Sequence, residues 1–254
     1  NIETVTVPVV VEAEPCVAGS AAFSLKAEAA KGQVDIILVI DSSGSMKEEK
    51  KAVADNLNKF ATDIVAKNVD HHVIVIGEGM CVPPPLAGPG CKNSPTFQHV
   101  NVKVGSKDAL EKVIETYPQW QGFLRAKAQR HFVIVTDDNS KKDANWFTNE
   151  VAKLKNPGFA NFFTFHSIVG WAPQVIPIIG CIGAAGHGTV YIELSQKTGG
   201  VLASICSQNF VPPDWSNVFA KIGQNVVSTV KVVCTYALPA EKDGKPVDPS
   251  TVTL

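Results

Sequence analysis

Four residues carry the most specific chemistry in this sequence. The apolar run VDIILVI ends in Asp41, and Asp41, Ser43 and Ser45 then recur at alternate positions in the turn DSSGS, just before a helical pattern begins. A second apolar run, HFVIVT, ends in Asp137. One carboxylate with two hydroxyls, joined by a second strand-terminal carboxylate, suits a hard, oxygen-seeking cation that keeps several waters and is held by few protein groups; Mg²⁺ fits first, with Mn²⁺ or Ca²⁺ as alternatives. A lone Asp-x-Ser-x-Ser at a helix start more often caps the helix. The second acid, together with Met46 and a long helix behind the turn, moves the reading toward a metal.

For Asp41 and Asp137 to converge, the runs they end must be strands finishing at one edge of a sheet. The pattern from Val34 onward supports this, because short apolar strands without alternation are separated by amphipathic helices. Strands are expected at Val34–Ile40, His72–Gly77, His99–Val104, His131–Thr136, Asn161–Val169 and Val201–Cys206. Helices are expected over about Met46–Lys67, Lys107–Thr116, Lys142–Leu154, Tyr191–Lys197 and Trp215–Val227. In the first helix Val53, Leu57, Phe60 and Ile64 share one face, and Gly199 and Gly200 stop the fourth. The expected fold class is α/β, doubly wound, with a mostly parallel central sheet flanked by helices, where ligands bind beyond the carboxyl ends of the strands. Residues 1–33 read as an extended N-terminal segment, 34–230 as the α/β domain and 231–254 as a C-terminal extended strand or linker.

DIILVIDSSGSM followed by HFVIVTDDNS resembles the von Willebrand factor A (integrin I-like) domain and its metal-ion-dependent adhesion site, across about residues 34–230. GFLRAKAQRHFVIVTDDNS and YIELSQKTGGVLASIC are similar to secreted or surface-attached bacterial members. The resemblance implies Asp41, Ser43 and Ser45 as metal ligands, direct or through water, with Asp137 as second acid. The family also expects a Thr before a middle helix; here the loop VGSKDAL offers Ser106, which would serve equally as N-cap of a helix beginning at Lys107, and Thr96 is a poorer substitute. Hydroxyl and water ligands leave the cation under-neutralised, so an open coordination position would attract an Asp or Glu carboxylate of a protein ligand. Asp138 and Asn139 lie next to the site, where they either tune it or, the favoured reading, form a solvated turn, and KEEKK reads as a solvated helix surface.

The remaining features bound this reading. With 23 basic and 24 acidic residues among 254, the chain has no global field to draw in nucleic acid. The uncharged stretch Ser167–Ile192 contains Pro173, Pro177 and five glycines and reads as a long ordered loop rather than a membrane span. No GxSxG or HExxH occurs, the glycine-rich GAAGHG around His187 lacks the Lys of a phosphate loop, and His72, His131 and His166 fall in or beside strands, so no catalysis is expected. Trp120 and Trp146 read as packing. Six cysteines without CxxC suggest three disulfides and an oxidising compartment, so secretion or cell-surface location; buried thiols are the alternative. Cys81–Cys91 is favoured because VPPPLAGPG between them folds back easily; Cys16 and Cys234 would tie the two ends, and Cys181 and Cys206 complete the set. No signal peptide is visible. Thr4–Val11 and Lys231–Leu238, both extended and apolar, would pair within the chain. Alternatively one would add to a neighbour's sheet edge, making the protein a self-associating subunit of an extracellular filament or surface assembly whose metal site is stabilising or incidental.

Overall fold

The computed structural model describes residues 28–29, 32–154, 156, 159, 163–171, 184–205, 215–230 and 234–235. The chain divides into two units, Gly32–Lys231 on the one hand and Asn1–Lys31 with Val232–Leu254 on the other. In the latter, the two-residue strands β1 (Glu28–Ala29) and β8 (Cys234–Thr235) pair antiparallel. The extended run expected at Thr4–Val11, and any pairing of Cys16, Cys181 or Cys206, lie outside the described residues.

The larger unit is an α/β fold. Strands β2 (Gly32–Ile40), β3 (Val69–Ile76), β4 (Phe97–Val100), β5 (Gln129–Thr136), β6 (Phe163–Val169) and β7 (Leu202–Ser204) form one sheet in the order β4-β3-β2-β5-β6-β7, with every neighbouring pair parallel. The helices are α1 (Lys47–Val65), α2 (Ala109–Trp120), α3 (Ala144–Lys153), α4 (Thr189–Thr198) and α5 (Trp215–Thr229). Because successive strand side chains point to opposite faces, β2 feeds two cores. Ile36, Leu38 and Ile40 pack with Val53, Leu57, Phe60 and Ile64 of α1 and Phe219, Ile222 and Val226 of α5. Ile37 and Val39 pack on the other face with Leu110 and Val113 of α2, Phe147 and Val151 of α3, and Leu194 of α4. Both faces being covered explains why these strands read as unbroken apolar runs.

The order of strands places the site. The chain builds outward from β2 to β3 and β4, then returns past β2 to lay down β5, β6 and β7. The reversal falls between β2 and β5, whose register pairs Ile40 with Val135. A crevice opens at such a point beyond the carboxyl ends of the two strands.

Several boundaries differ from expectation. Strand β4 is Phe97–Val100 and not His99–Val104, because residues 101–104 leave the ladder to cross the end of β2, where Val104 O accepts from Ser42 N at 2.8 Å. Helix α2 begins at Ala109 and not Lys107, with Asp108 as its N-cap residue, so Ser106 is not the cap. The same helix continues past Thr116 through Pro118 to the buried Trp120, whose Nε1 donates to Thr116 Oγ1 at 3.1 Å.

Two further features fix the frame. Cys81–Cys91 is bonded, and the loop it closes is packed, with Val82, Leu86 and Ala87, and Met80 just before it, buried in the α1 core. Asn58 of α1 clamps this loop, donating to the carbonyls of Pro83 (3.0 Å) and Pro84 (3.1 Å) and accepting from Leu86 N (3.0 Å). At the amino end of the sheet, the fully buried Asp35 accepts from Arg125 Nε (2.8 Å), Arg125 N (2.8 Å) and Arg130 Nη1 (2.6 Å). Arg125 also reaches Asp70 at 2.6 Å, so β2, β3 and β5 are tied where they begin. Among the described residues no helix is long and apolar enough to cross a membrane.

Candidate metal centre

Strand β2 delivers Asp41 into the crevice, held in the sheet by Asp41 N donating to Val135 O at 2.9 Å. Its carboxylate is fully buried and rigid: Oδ1 accepts from Ser43 N at 2.7 Å and Oδ2 from Thr136 Oγ1 at 3.0 Å. Each oxygen keeps a further lone pair for a ligand or a water. The turn then lifts Ser43 and Ser45 toward solvent, their hydroxyls 3.1 Å apart. Ser42 faces the other way. Its Oγ accepts from Glu78 N at 2.9 Å and Val104 N at 3.4 Å, which joins the ends of β2 and β3 to the loop crossing them.

Strand β5 delivers Asp137, 3% exposed, with Ser45 hydrogen-bonded to its carboxylate and Oδ1 lacking any partner. Burial pushes its pKa up, and repulsion from Asp41 adds to the rise against the Ser45 hydrogen bond. A buried carboxylate oxygen without a donor is costly, by roughly 1–3 kcal/mol or more. A cation lodged among Asp41, Ser43, Ser45 and Asp137 would supply the missing partner and cancel the repulsion. The donor set is therefore compatible with one. Among the described residues no group of three or more His, Cys, Asp or Glu is arranged to hold a metal, so a cation here would rest on two carboxylates completed by hydroxyls and water. That is an oxygen-only set, suited to Mg²⁺ rather than to a softer metal.

Ser106 reaches the site through its backbone, its carbonyl accepting from Thr136 Oγ1 at 3.2 Å, and its side chain stands half-buried at the rim. Thr96 is elsewhere. It precedes β4 at the amino end of that strand, its carbonyl accepting from Val73 N at 2.9 Å.

Four neighbours acquire their roles at the site only in the fold. Thr136 bridges Asp41 to the Ser106 loop; its only sequence signal is its place before Asp137 in HFVIVTD. Glu49, expected on a solvated surface, is half-buried in the first turn of α1 with Oε2 unpartnered. Burial raises its pKa first, and Glu48 and Asp137 add repulsion. Asp138 and Asn139 are joints and not a solvated turn. Asp138 is buried, pairs with Lys107 at 3.3 Å, and lies so near Gly186 that a side chain there would strike Oδ1. Asn139 caps α4 from outside, accepting from Val190 N at 3.1 Å and donating to Thr189 Oγ1 at 2.8 Å. With Gly186 N donating to Asp137 O at 3.0 Å, these bonds fasten the segment carrying the exposed His187 to the site.

The remaining histidines and tryptophans hold positions in the packing. His131, His166 and Trp120 are buried, and Trp146 is half-buried with Lys142 Nζ 5.2 Å above its ring.

No family model matches the sequence, and no curated protein does. Among solved structures, proximal thread matrix protein 1 from the mussel byssus aligns with TM-score 0.41 and 13% identity, over 82% of this chain and 48% of that one. The chain thus spans about half the length of that structure, and a likeness so low carries no information about function.

Proposed function

We propose that the chain is an extracellular or cell-surface protein-interaction module of the von Willebrand factor A type. It binds a divalent cation, Mg²⁺ first, at Asp41, Ser43, Ser45 and Asp137, with Ser106 at the rim, and uses it to hold a carboxylate of a protein ligand. The observation that carries this reading is Asp137 Oδ1, buried and unpartnered beside Asp41 at the strand-order reversal, with two hydroxyls open to solvent. When bound, the cation supplies a positive point with a replaceable water. The chain's own part is to fix the Asp41 carboxylate through Thr136 and Ser43 N, to hold Asp137 through Ser45, and to leave Ser43 and Ser45 reachable. The Cys81–Cys91 bond supports a location outside the cytoplasm. A binding role without turnover is part of the proposal; hydrolysis of an ester, peptide or phosphate by the purified chain would overturn that part.

Isothermal titration with Mg²⁺ tests the core of it. Saturable binding by the natural chain is expected, lost in Asp41→Ala with unchanged circular dichroism; no saturable binding, or equal binding by the variant, would overturn it. The alternative, assembly by strand addition, is disfavoured at β4. There the outward N–H groups of Phe97 and His99 are already taken by Ser94 O (3.3 Å) and Asn93 Oδ1 (2.8 Å), which blunts that edge.

A further inference from the structure

His131 on β5 and His166 on β6 are fully buried and stacked, their ring centroids 5.3 Å apart, on the sheet face that α5 covers. Their protonation can be worked out from one amide. Val201 N donates to His166 Nδ1 at 3.0 Å, and an amide N–H cannot accept, so Nδ1 is bare and His166 carries its proton on Nε2. That Nε2 lies 3.0 Å from His131 Nδ1, which must then accept, so His131 also carries its proton on Nε2. His131 Nε2 in turn donates to Thr229 Oγ1 at 3.0 Å, and the threonine hydroxyl donates to Val226 O at 2.9 Å. The chain of bonds runs one way from the strand ladder to the last residue of α5, with every imidazole nitrogen used once.

We propose that this chain is a pH-sensitive latch on the last turn of α5, closed while both imidazoles are neutral and released when either takes up a proton. A proton on His131 Nδ1 would face the His166 Nε2–H, and a proton on His166 Nδ1 would face the Val201 N–H. Either places donor against donor and leaves a buried charge without a counter-ion.

Among the described residues, the surroundings offer no relief. Asp35 and Arg130 belong to the opposite face of the sheet by strand alternation. The one charged residue of α5, Lys221, is exposed, and β6 and β7 carry none. On α1, Asp63 and Lys67 just beyond it flank the outer side of α5 in solvent, Asp63 paired with Lys59 at 2.7 Å. His71 shares the face but sits on β3, beyond β2. In keeping with this, burial pushes His131 down to about 4 and His166 well below its ordinary value, the latter with help from His131. Opening restores ordinary imidazoles, so each proton taken up favours the open state about tenfold per pH unit between roughly 6.5 and 4. Beyond Thr229, Val230 packs where a side chain on Gly32 would collide, which bounds the released turn.

Hydrogen exchange on the full chain, corrected for intrinsic rates, reads the latch. Between pH 7.5 and 4.5 protection of amides 226–230 should fall about a hundredfold or more, while Ile36–Ile40 changes far less. The double substitution His131→Leu with His166→Leu should abolish that dependence. Thr229→Val, which keeps both rings, should expose the turn already at pH 7.5. Imidazole ¹⁵N spectra of the unmodified chain should show Nε2–H tautomers on both rings at neutral pH. An Nδ1–H tautomer on either ring, unchanged protection at pH 4.5, parallel loss across all strands, or the same loss in the double variant would each overturn the proposal.

Discussion

Asp41 owes its orientation in part to Thr136, whose one hydroxyl proton is shared between Asp41 Oδ2 and the Ser106 carbonyl. Thr136→Val keeps the shape and removes both bonds, so Mg²⁺ affinity should fall about 10- to 100-fold, as when other groups that orient metal ligands are lost. Titration calorimetry on the folded variant checks this, and an unchanged affinity would show that Asp41 is held adequately by Ser43 N alone. The four candidate ligands could be proposed from the sequence because their information is local: alternate spacing in one turn and position at two strand ends. Thr136, Glu49 and Asn139 could not, since each acquires its role from a partner 30 to 95 residues away, or 51 in the case of Asn139, or from a burial that only packing creates.

Strands and helices followed from periodicity, but the devices that align them did not. Asp35, inside an apolar run, gives no hint that Arg125 and Arg130 will converge on it at the amino end of β2 and β5. Removing the buried carboxylate that two guanidinium groups share leaves the buried Arg130 without a counter-ion, while Arg125 keeps Asp70, so Asp35→Ala should lower stability by about 3–5 kcal/mol. Urea denaturation monitored by tryptophan fluorescence measures it; a loss under about 1 kcal/mol would mean that the arginines find other acceptors. The end of β4 shifted because a long-range contact intervened, the Ser42–Val104 bond pulling residues 101–104 off the ladder, whereas the bounds of α2 were set by its own neighbours.

At the scale of the whole molecule, the buried histidines set a pH limit. The His131 pKa of about 4 in the folded chain lies below the ordinary 6.5, so the unfolded chain takes up that proton first. Its contribution is therefore complete above about pH 6.5 and is lost as pH falls toward 4, by roughly 3 kcal/mol for that ring. Asp137 and Glu49, whose pKa values are raised, act in the opposite sense, stabilising the fold as they protonate. Urea midpoints at pH 7.5, 5.5 and 4.5 should decline if the histidines dominate, and a flat profile would count against neutral, buried rings.

The sequence by itself determined the α/β alternation, the two strand-terminal acids, the serine spacing and the loop closed by Cys81 and Cys91, because each is written in neighbouring residues and obeys local geometry. Only the tertiary structure decided that the strand order reverses between β2 and β5, bringing Asp41 and Asp137 together. It alone also made Asp138 and Asn139 joints and aligned His166, His131 and Thr229 into a one-way chain. These depend on which strands become neighbours and which groups lose water, and both are properties of the packed chain, not of any one segment.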